Sequence, residues 1–351
     1  MEIFKRMSER HHEQLVFWNE PLFGYRGIIA IHDTTMGPAL GGTRFWNYAS
    51  EVDAIEDALR LARGMTYKAA VTGLNLGGGK SVIFGDNKTK DREMIFRAHG
   101  RAVESLAGRY ITAEDVGTSP DDMEFVAMET DHVVGMLGLS GDPSPVTAYG
   151  AYMGIKACAH FRYGSDSLEG KHIAVQGVGH VGYYLCKDLA EEGAKLTVCD
   201  IDKDRVARAV EEFGADVVEG DAIYDVKADV FAPCALGAIA NDQTIPAFKF
   251  DIVAGAANNV LAHSQHGELL EKKGILYAPD YVINAGGLIN VYGEMHGWSS
   301  DRSMRKAGDI YNTLLRIFER ARSEGIPTSA AADKVAETRI MEARQLQRTF
   351  V

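Results

Sequence analysis

The sequence predicts an α/β protein of two domains, the second a doubly wound parallel sheet. Three observations carry this. Between residues 26 and 113, short apolar runs rich in β-branched residues alternate with stretches of helical periodicity, the order of a layered α/β structure. From residue 171 a strand, a turn spaced G-x-G-x-x-G, a helix and a second strand follow in succession. The 351 residues are enough for two cores.

The elements follow in order. Residues 1–20 read as a polar helix. Residues 26–32 form a strand run, and Gly37-Pro38-Ala39-Leu40-Gly41-Gly42-Thr43-Arg44 a glycine-rich loop. Ser50 and Asp53 have the spacing of a capping box. Val52, Ile55, Leu59 and Ala62 then recur at helical spacing, so this helix packs one face on a core, and it ends between Gly64 and Lys68. Next come Gly73-Leu74-Asn75-Leu76-Gly77-Gly78-Gly79-Lys80-Ser81, a strand over 82–84, a helix over 92–106 and a strand over 109–113 that leads to Glu114 and Asp115. Pro143-Ser144-Pro145 reads as a hinge before a helix from Thr147. Strands over 171–176 and 196–200 flank the second glycine turn, and 229–232, 252–254 and 275–278 continue a parallel sheet. Asn284-Ala285-Gly286-Gly287 precedes a further helix, and 301–351 is helical.

Composition excludes several classes. A net charge of −12 argues against nucleic acid or an anionic membrane as partner. No apolar run approaches a bilayer-spanning length, and the N-terminus lacks a signal-peptide core. Cys158, Cys186, Cys199 and Cys234 are scattered without a C-x-x-C and read as reduced thiols of a cytoplasmic protein. The eleven histidines show no zinc-type spacing.

Two stretches carry chemistry. Three consecutive glycines are costly to order, so Gly77–Gly79 must either pass close to something or need positive φ. Lys80 follows them and Lys68 lies twelve residues before it. Two lysines around a glycine turn can hold an anion and keep one ammonium for chemistry. A phosphate loop would need its first glycine at position 74, which is Leu74, and a helix after Ser81 where a strand is expected. In the second stretch, Gly177-Val178-Gly179-His180-Val181-Gly182 has its required context, strand before and helix after. Gly177 permits the turn, Gly179 lets a pyrophosphate approach, and Gly182 lets the helix pack. Asp200 closes the next strand, eighteen residues past Gly182. A carboxylate there accepts from ribose hydroxyls and disfavours a 2′-phosphate, which points to NAD.

Taken together, residues 37–44, Lys68, 74–80, 112–117, 143–150, the dinucleotide fingerprint and 279–287 resemble the family of glutamate, leucine, valine and phenylalanine dehydrogenases over nearly the whole chain. The resemblance implies an N-terminal α/β catalytic domain, 1–135 with 330–351, that also mediates oligomerisation. It implies a Rossmann-type NAD domain over 136–329, a cleft between the two, and hinges near 135 and 330. It implies reversible oxidative deamination of an L-amino acid to a 2-oxo acid and ammonium, by a homo-oligomer that is a dimer or a higher assembly such as an octamer. Lys68 resembles the family's carboxylate anchor and Asp115 its proton shuttle. Lys80 is expected to be the base, its pKa lowered by Lys68 beside it and by desolvation when the cleft closes. Leu40, Gly41, Gly42, Met65, Ala113 and Val291 then surround the substrate, and Thr147, Asn258 and Asn259 meet the cofactor. Glutamate-specific relatives carry G-P-x-K-G-G and a serine seven residues after the asparagine of N-A-G-G. Here those positions are Leu40 and Val291, which implies branched aliphatic substrates. The histidine and arginine pair of 2-hydroxy acid dehydrogenases is not found. A non-catalytic NAD-sensing protein would lack Lys68, Lys80 or Asp115, and all three are present.

Overall fold

The computed structural model describes residues 2–136, 142–235 and 237–348, with side chains to 346. The chain forms two compact units: Met1–Gly141 with Glu294–His296 and Ala336–Val351, and Asp142–Gly293 with Gly297–Val335.

In the first unit α1 (Ile3–Glu9) leads to β1 (Gln14–Glu20), which pairs antiparallel with β2 (Tyr25–Asp33). β3 (Ala39–Trp46), α2 (Glu51–Val71), β4 (Gly77–Phe84), α3 (Glu93–Glu104), β5 (Tyr110–Glu114) and α4 (Pro120–Ala127) follow. The sheet order is β1-β2-β4-β3-β5, with β3 parallel to both β4 and β5. Alternation along the strands divides the side chains between two cores. Ile28, Ala30 and Val82 pack against Ala54, Ile55, Ala58, Leu59 and Ala62 of α2. Ile29, Ile31, Phe45 and Ile83 pack with Phe96, Val103, Met123 and Val126 of α3 and α4. Each of the buried Val, Leu, Ile, Phe and Met side chains contributes roughly 1.5–3 kcal/mol, the alanines less.

Several local expectations are corrected here. Residues 14–20 are an edge strand, not helix, because β2 supplies a ladder from Gln14↔Ile31 to Glu20↔Tyr25. The helix expected to stop between Gly64 and Lys68 runs to Val71, since Thr66, Tyr67, Ala69, Ala70 and Val71 are all buried and that packing outweighs the glycine. Its Val52 is exposed rather than in the core. Both glycine loops are strands. Gly41 and Gly42 lie within β3 and Gly77–Gly79 within β4. None of these five has positive φ, whereas Gly73, which closes α2, does. Neighbouring chain forbids side chains here: a Cβ on Gly41 would sit 1.7 Å from the carbonyl oxygen of Gly79, and one on Gly78 2.1 Å from the amide of Thr66. Ser81 is inside β4, which excludes a phosphate loop.

The second unit begins with α5 (Ser144–Tyr163), three residues before Thr147, with Pro145 in its first turn where a missing N–H costs nothing. β6 (His172–Gln176), α6 (His180–Glu191), β7 (Lys195–Cys199), α7 (Lys203–Phe213), β8 (Asp216–Val217), β9 (Val230–Pro233), β10 (Ile252–Val253), α8 (Gln265–Lys272), β11 (Leu276–Tyr277), α9 (Asp280–Ile283), α10 (Gly286–Met295), α11 (Ser300–Gly308), α12 (Ile310–Glu324) and α13 (Thr328–Arg348) follow. The sheet is parallel throughout, ordered β11-β10-β9-β6-β7-β8. The order reverses direction at β6, and ligands of doubly wound sheets bind beyond the strand ends at that switch point. Residues of α13 from 336 onward count with the first unit; 349–351 lie outside the described residues. No helix among the described residues is long and apolar enough to cross a membrane.

Candidate active site

Lys80 sits in the interior of β4, two residues from Val82 and so on the same sheet face, toward α2. It is 4% exposed. Its Nζ lies 2.9 Å from Oδ2 of Asp115. Asp115 is the first residue past β5, and its backbone N–H donates to the Thr118 hydroxyl at 2.8 Å, which in turn donates to the Thr43 carbonyl. The cap of the following helix α4 is Ser119, so Asp115 is free of capping duty. Its Oδ2 also accepts from Nε of Arg44 at 2.9 Å. Arg44 reaches Asp57 on α2 through Nη1 at 2.8 Å, and Asp57 accepts further from the Tyr48 hydroxyl and from Arg60.

Burial pushes the Lys80 pKa down. Asp115 opposes this and Arg44 adds to it, so the amine ends below the ordinary lysine range. Burial pushes Asp115 up, but Lys80 and Arg44 outweigh it and hold the carboxyl below its usual range. Arg44 is thus a cation acting on Lys80 that the sequence does not single out. Lys68 stands half-buried in the last turn of α2, on the helix that holds Met65. An amine that releases its proton readily, against a carboxylate kept ionised, is a pair able to exchange protons with a substrate. Leu40 is buried and Ala113 half-buried. Gly41 and Gly42 pair with β5 at Thr112 and Ala113 while the ladder to β4 skips them.

In the second unit the turn after β6 has the form a dinucleotide needs. Gly177 has φ +93°, and a Cβ on Gly182 would lie 2.0 Å from the Gly177 carbonyl oxygen. A Cβ on Gly179 would meet only the end of Arg205, at 3.4 Å, so the second glycine keeps open space rather than a protein contact. Gly179 is also the N-cap of α6 and no side chain caps that end, which leaves helix N–H groups and a positive dipole end for a pyrophosphate. His180 and Val181 open the helix. Asp200 follows β7, its Oδ2 accepting from the Val178 N–H at 2.8 Å and its Oδ1 from the Asp202 N–H at 2.9 Å. These residues fit a dinucleotide.

The family model for the Glu/Leu/Phe/Val dehydrogenase dimerisation domain matches residues 13–132, and that for glutamate/leucine/phenylalanine/valine dehydrogenase matches 197–348. The chain belongs to this family. It is similar to the leucine dehydrogenase of Thermoactinomyces intermedius, 57% identical over 100% of this chain and 97% of the relative. It is 56% identical to that of Geobacillus stearothermophilus, over 100% of this chain and 96% of the relative. Among solved structures, L-tryptophan dehydrogenase from Nostoc punctiforme superposes with a TM-score of 0.90 at 48% identity, covering 98% of this chain and 99% of that one. The protein is accordingly an amino-acid dehydrogenase.

The remaining candidates of this dehydrogenase fall as follows. Thr147 is in the first turn of α5, and a Cβ on Gly286 would lie 2.6 Å from its Cα. The glycine pair thus lets the start of α10 close onto it. Asn258 accepts from Nδ2 of the buried Asn284 at 2.7 Å, and Asn259 has φ +51°. Val291 lies half-buried on α10. Three residues gain a role that the sequence does not assign them. Arg44 and Asp57 flank the Asp115 carboxylate, and Asn284 orients Asn258. The signal for Arg44 was its place at the end of a strand next to the one bearing Lys80, visible only once β3 is known to lie between β4 and β5. Among the described residues no three His, Cys, Asp or Glu side chains group as metal ligands.

Proposed function

We propose that this dehydrogenase catalyses the reversible NAD-dependent oxidative deamination of branched aliphatic L-amino acids: leucine, and also valine and isoleucine. Amino acid, NAD⁺ and water give 2-oxo acid, ammonium, NADH and a proton. The observation that carries the reading is the buried Lys80 on the ionised Asp115. Gly177–Gly182 and Asp200 hold the dinucleotide, with Thr147, Asn258 and Asn259 toward the nicotinamide. The bound nicotinamide supplies the acceptor for the hydrogen on the substrate Cα.

Lys68 pairs with the substrate carboxylate and fixes Cα, aided by close backbone at Gly41 and Gly42. Once the substrate is an imine, neutral Lys80 takes a proton from the water that attacks the imine carbon. Asp115 moves protons to and from the nitrogen, so that it departs as ammonium. Lys80 needs its lowered pKa to be neutral in a useful fraction of molecules at working pH. Leu40, Met65, Ala113 and Val291 favour an apolar side chain. A distal carboxylate left unpaired against them costs several kcal/mol.

The Asp200 carboxylate supports NAD over NADP. A match to a dimerisation domain supports a homo-oligomer, and four free thiols support a cytoplasmic setting. The test is NADH oxidation with 4-methyl-2-oxopentanoate, with and without ammonium, then deamination of leucine, valine, isoleucine, phenylalanine, tryptophan and glutamate. Turnover should require ammonium, and glutamate should trail leucine by about a thousandfold in kcat/KM, ~4 kcal/mol. Ammonium-independent turnover, or glutamate matching leucine, overturns the reading. Lys80→Ala should lose at least about a hundredfold in kcat while binding NADH as wild type does.

A further inference from the structure

The carboxylate of Asp115 is held asymmetrically. Lys80 from β4 and Arg44 from β3 both sit on Oδ2, each at 2.9 Å. Among the described residues both of these cations meet the carboxylate through this one oxygen. We propose that Arg44 is a positioning residue for the deamination: anchored on Asp57, it fixes Oδ2 of Asp115 beside Lys80 and leaves Oδ1 to meet the substrate nitrogen. This inference rests on the proposed function and adds a residue to it.

The chemistry requires such a residue. Lys80 must be neutral to accept a proton, and at that moment Asp115 loses the charge of its partner. A half-buried carboxylate beside other acids would then drift toward the protonated form, and it could no longer accept from the substrate nitrogen. Arg44 does not titrate in the working range, so its guanidinium stays on Oδ2 whatever the state of Lys80. The same charge makes the Lys80 proton easier to lose. Asp57 prevents Arg44 from swinging away, and is itself gripped by Tyr48 and Arg60. The charged and titratable groups around the pair are thus Lys80 of β4, Arg44 of β3, Tyr48 beyond it, Asp57 and Arg60 of α2, and the exposed Glu114 of β5.

The test is the pH profile of kcat/KM for leucine, whose acid limb reports the Lys80–Asp115 pair as a unit. Arg44→Met should move that limb to higher pH. It should lower turnover at neutral pH by about tenfold or more, a loss that narrows as pH rises, with the KM for NAD⁺ within about twofold of wild type. Arg44→Lys, which returns a cation, should bring the limb back toward its original place. Asp57→Asn removes an anion behind Arg44 and should move the limb the opposite way, to lower pH. A merely structural role predicts no displacement of opposite sign. An Arg44→Met limb at the wild-type pH, or Arg44→Met and Asp57→Asn limbs moving together, overturns the inference. If Arg44→Met does not fold, Asp57→Asn decides alone: a limb that stays or rises overturns it. Wild-type enzyme that fails to deaminate leucine would instead refute the proposed function, whatever the variants do.

Discussion

Glycine serves opposite purposes in the two units. In β3 and β4 it makes room within the protein. Gly41, Gly42 and Gly77–Gly79 have ordinary extended backbone, and their missing side chains are excluded by carbonyls, amides and the Tyr110 ring. In the turn after β6, Gly177 is used for its positive φ and Gly179 for space that the protein leaves open. The first kind of glycine lets strands bearing Lys80 and Arg44 pack tightly enough to share one carboxylate. The second keeps backbone accessible to a ligand. The difference is testable because it predicts different failures. Gly41→Ala puts a methyl 1.7 Å from a backbone oxygen that cannot rotate away, and should cost more than about 4 kcal/mol, enough to prevent folding. Gly179→Ala meets only a movable arginine tip. It should keep the wild-type melting temperature while raising the KM for NAD⁺ about tenfold or more. Thermal unfolding and NAD⁺ titration of both variants read this directly. A Gly41→Ala protein as stable as wild type would erase the contrast.

The same difference explains what the sequence disclosed. The G-x-G-x-x-G turn, Asp200 and the strands around them follow local rules, since turn, strand and helix start lie within a few residues of one another. The glycines of β3 and β4 do not. What excludes a side chain at Gly41 is Gly79, and at Gly78 it is Thr66 of α2. Without those partners a run of glycines has the composition of a loop. For the same reason Leu15 and Phe17 show no strand signal without the ladder that β2 supplies. Arg44 ends the glycine-rich motif, but its contact with Asp115 is not legible there, because the sheet order β2-β4-β3-β5 is not written in any one segment.

A second way to sharpen the comparison is acid. Behind the strands of the first unit that carry Lys80 and Arg44 lies a buried polar cluster. His99 of α3 joins the Tyr25 hydroxyl through Nδ1 and the Thr43 hydroxyl through Nε2, each at 2.8 Å. Burial drives the His99 pKa from 6.5 down to about 3. Burial, then the neighbouring His12, drives His32 to about 4. The folded values lie below the unfolded ones, so the unfolded chain binds more protons below about pH 6.5. Stability is therefore full above that window and is lost as pH falls through it. His99 alone should cost about 2 kcal/mol by about pH 5. Urea unfolding at neutral pH and near pH 5, at one protein concentration, should show His99→Gln losing less between the two than wild type, whatever its starting stability. Equal losses would mean that His99 is not held neutral.

The smallest effect expected lies at the rim of the second unit. Asp200 does two jobs at once. Its oxygens tie down the N–H groups of Val178 and Asp202, and its charge faces the place a ribose takes in this fold. Substituting Asp200→Asn separates the jobs. The amide keeps one oxygen to accept from the glycine turn, so the turn persists at the cost of one weakened backbone contact, about 1 kcal/mol. The negative charge is gone, and with it the repulsion toward a 2′-phosphate. The ratio of kcat/KM for NAD⁺ over NADP⁺ should shrink by about tenfold, ~1.4 kcal/mol, while the unfolding temperature moves only a few degrees. This outcome is opposite in kind to Gly41→Ala, which changes the fold and leaves cofactor preference unmeasurable. Wild-type enzyme using both cofactors equally, or a ratio unmoved in Asp200→Asn, would show that the charge at this strand end does not select the cofactor.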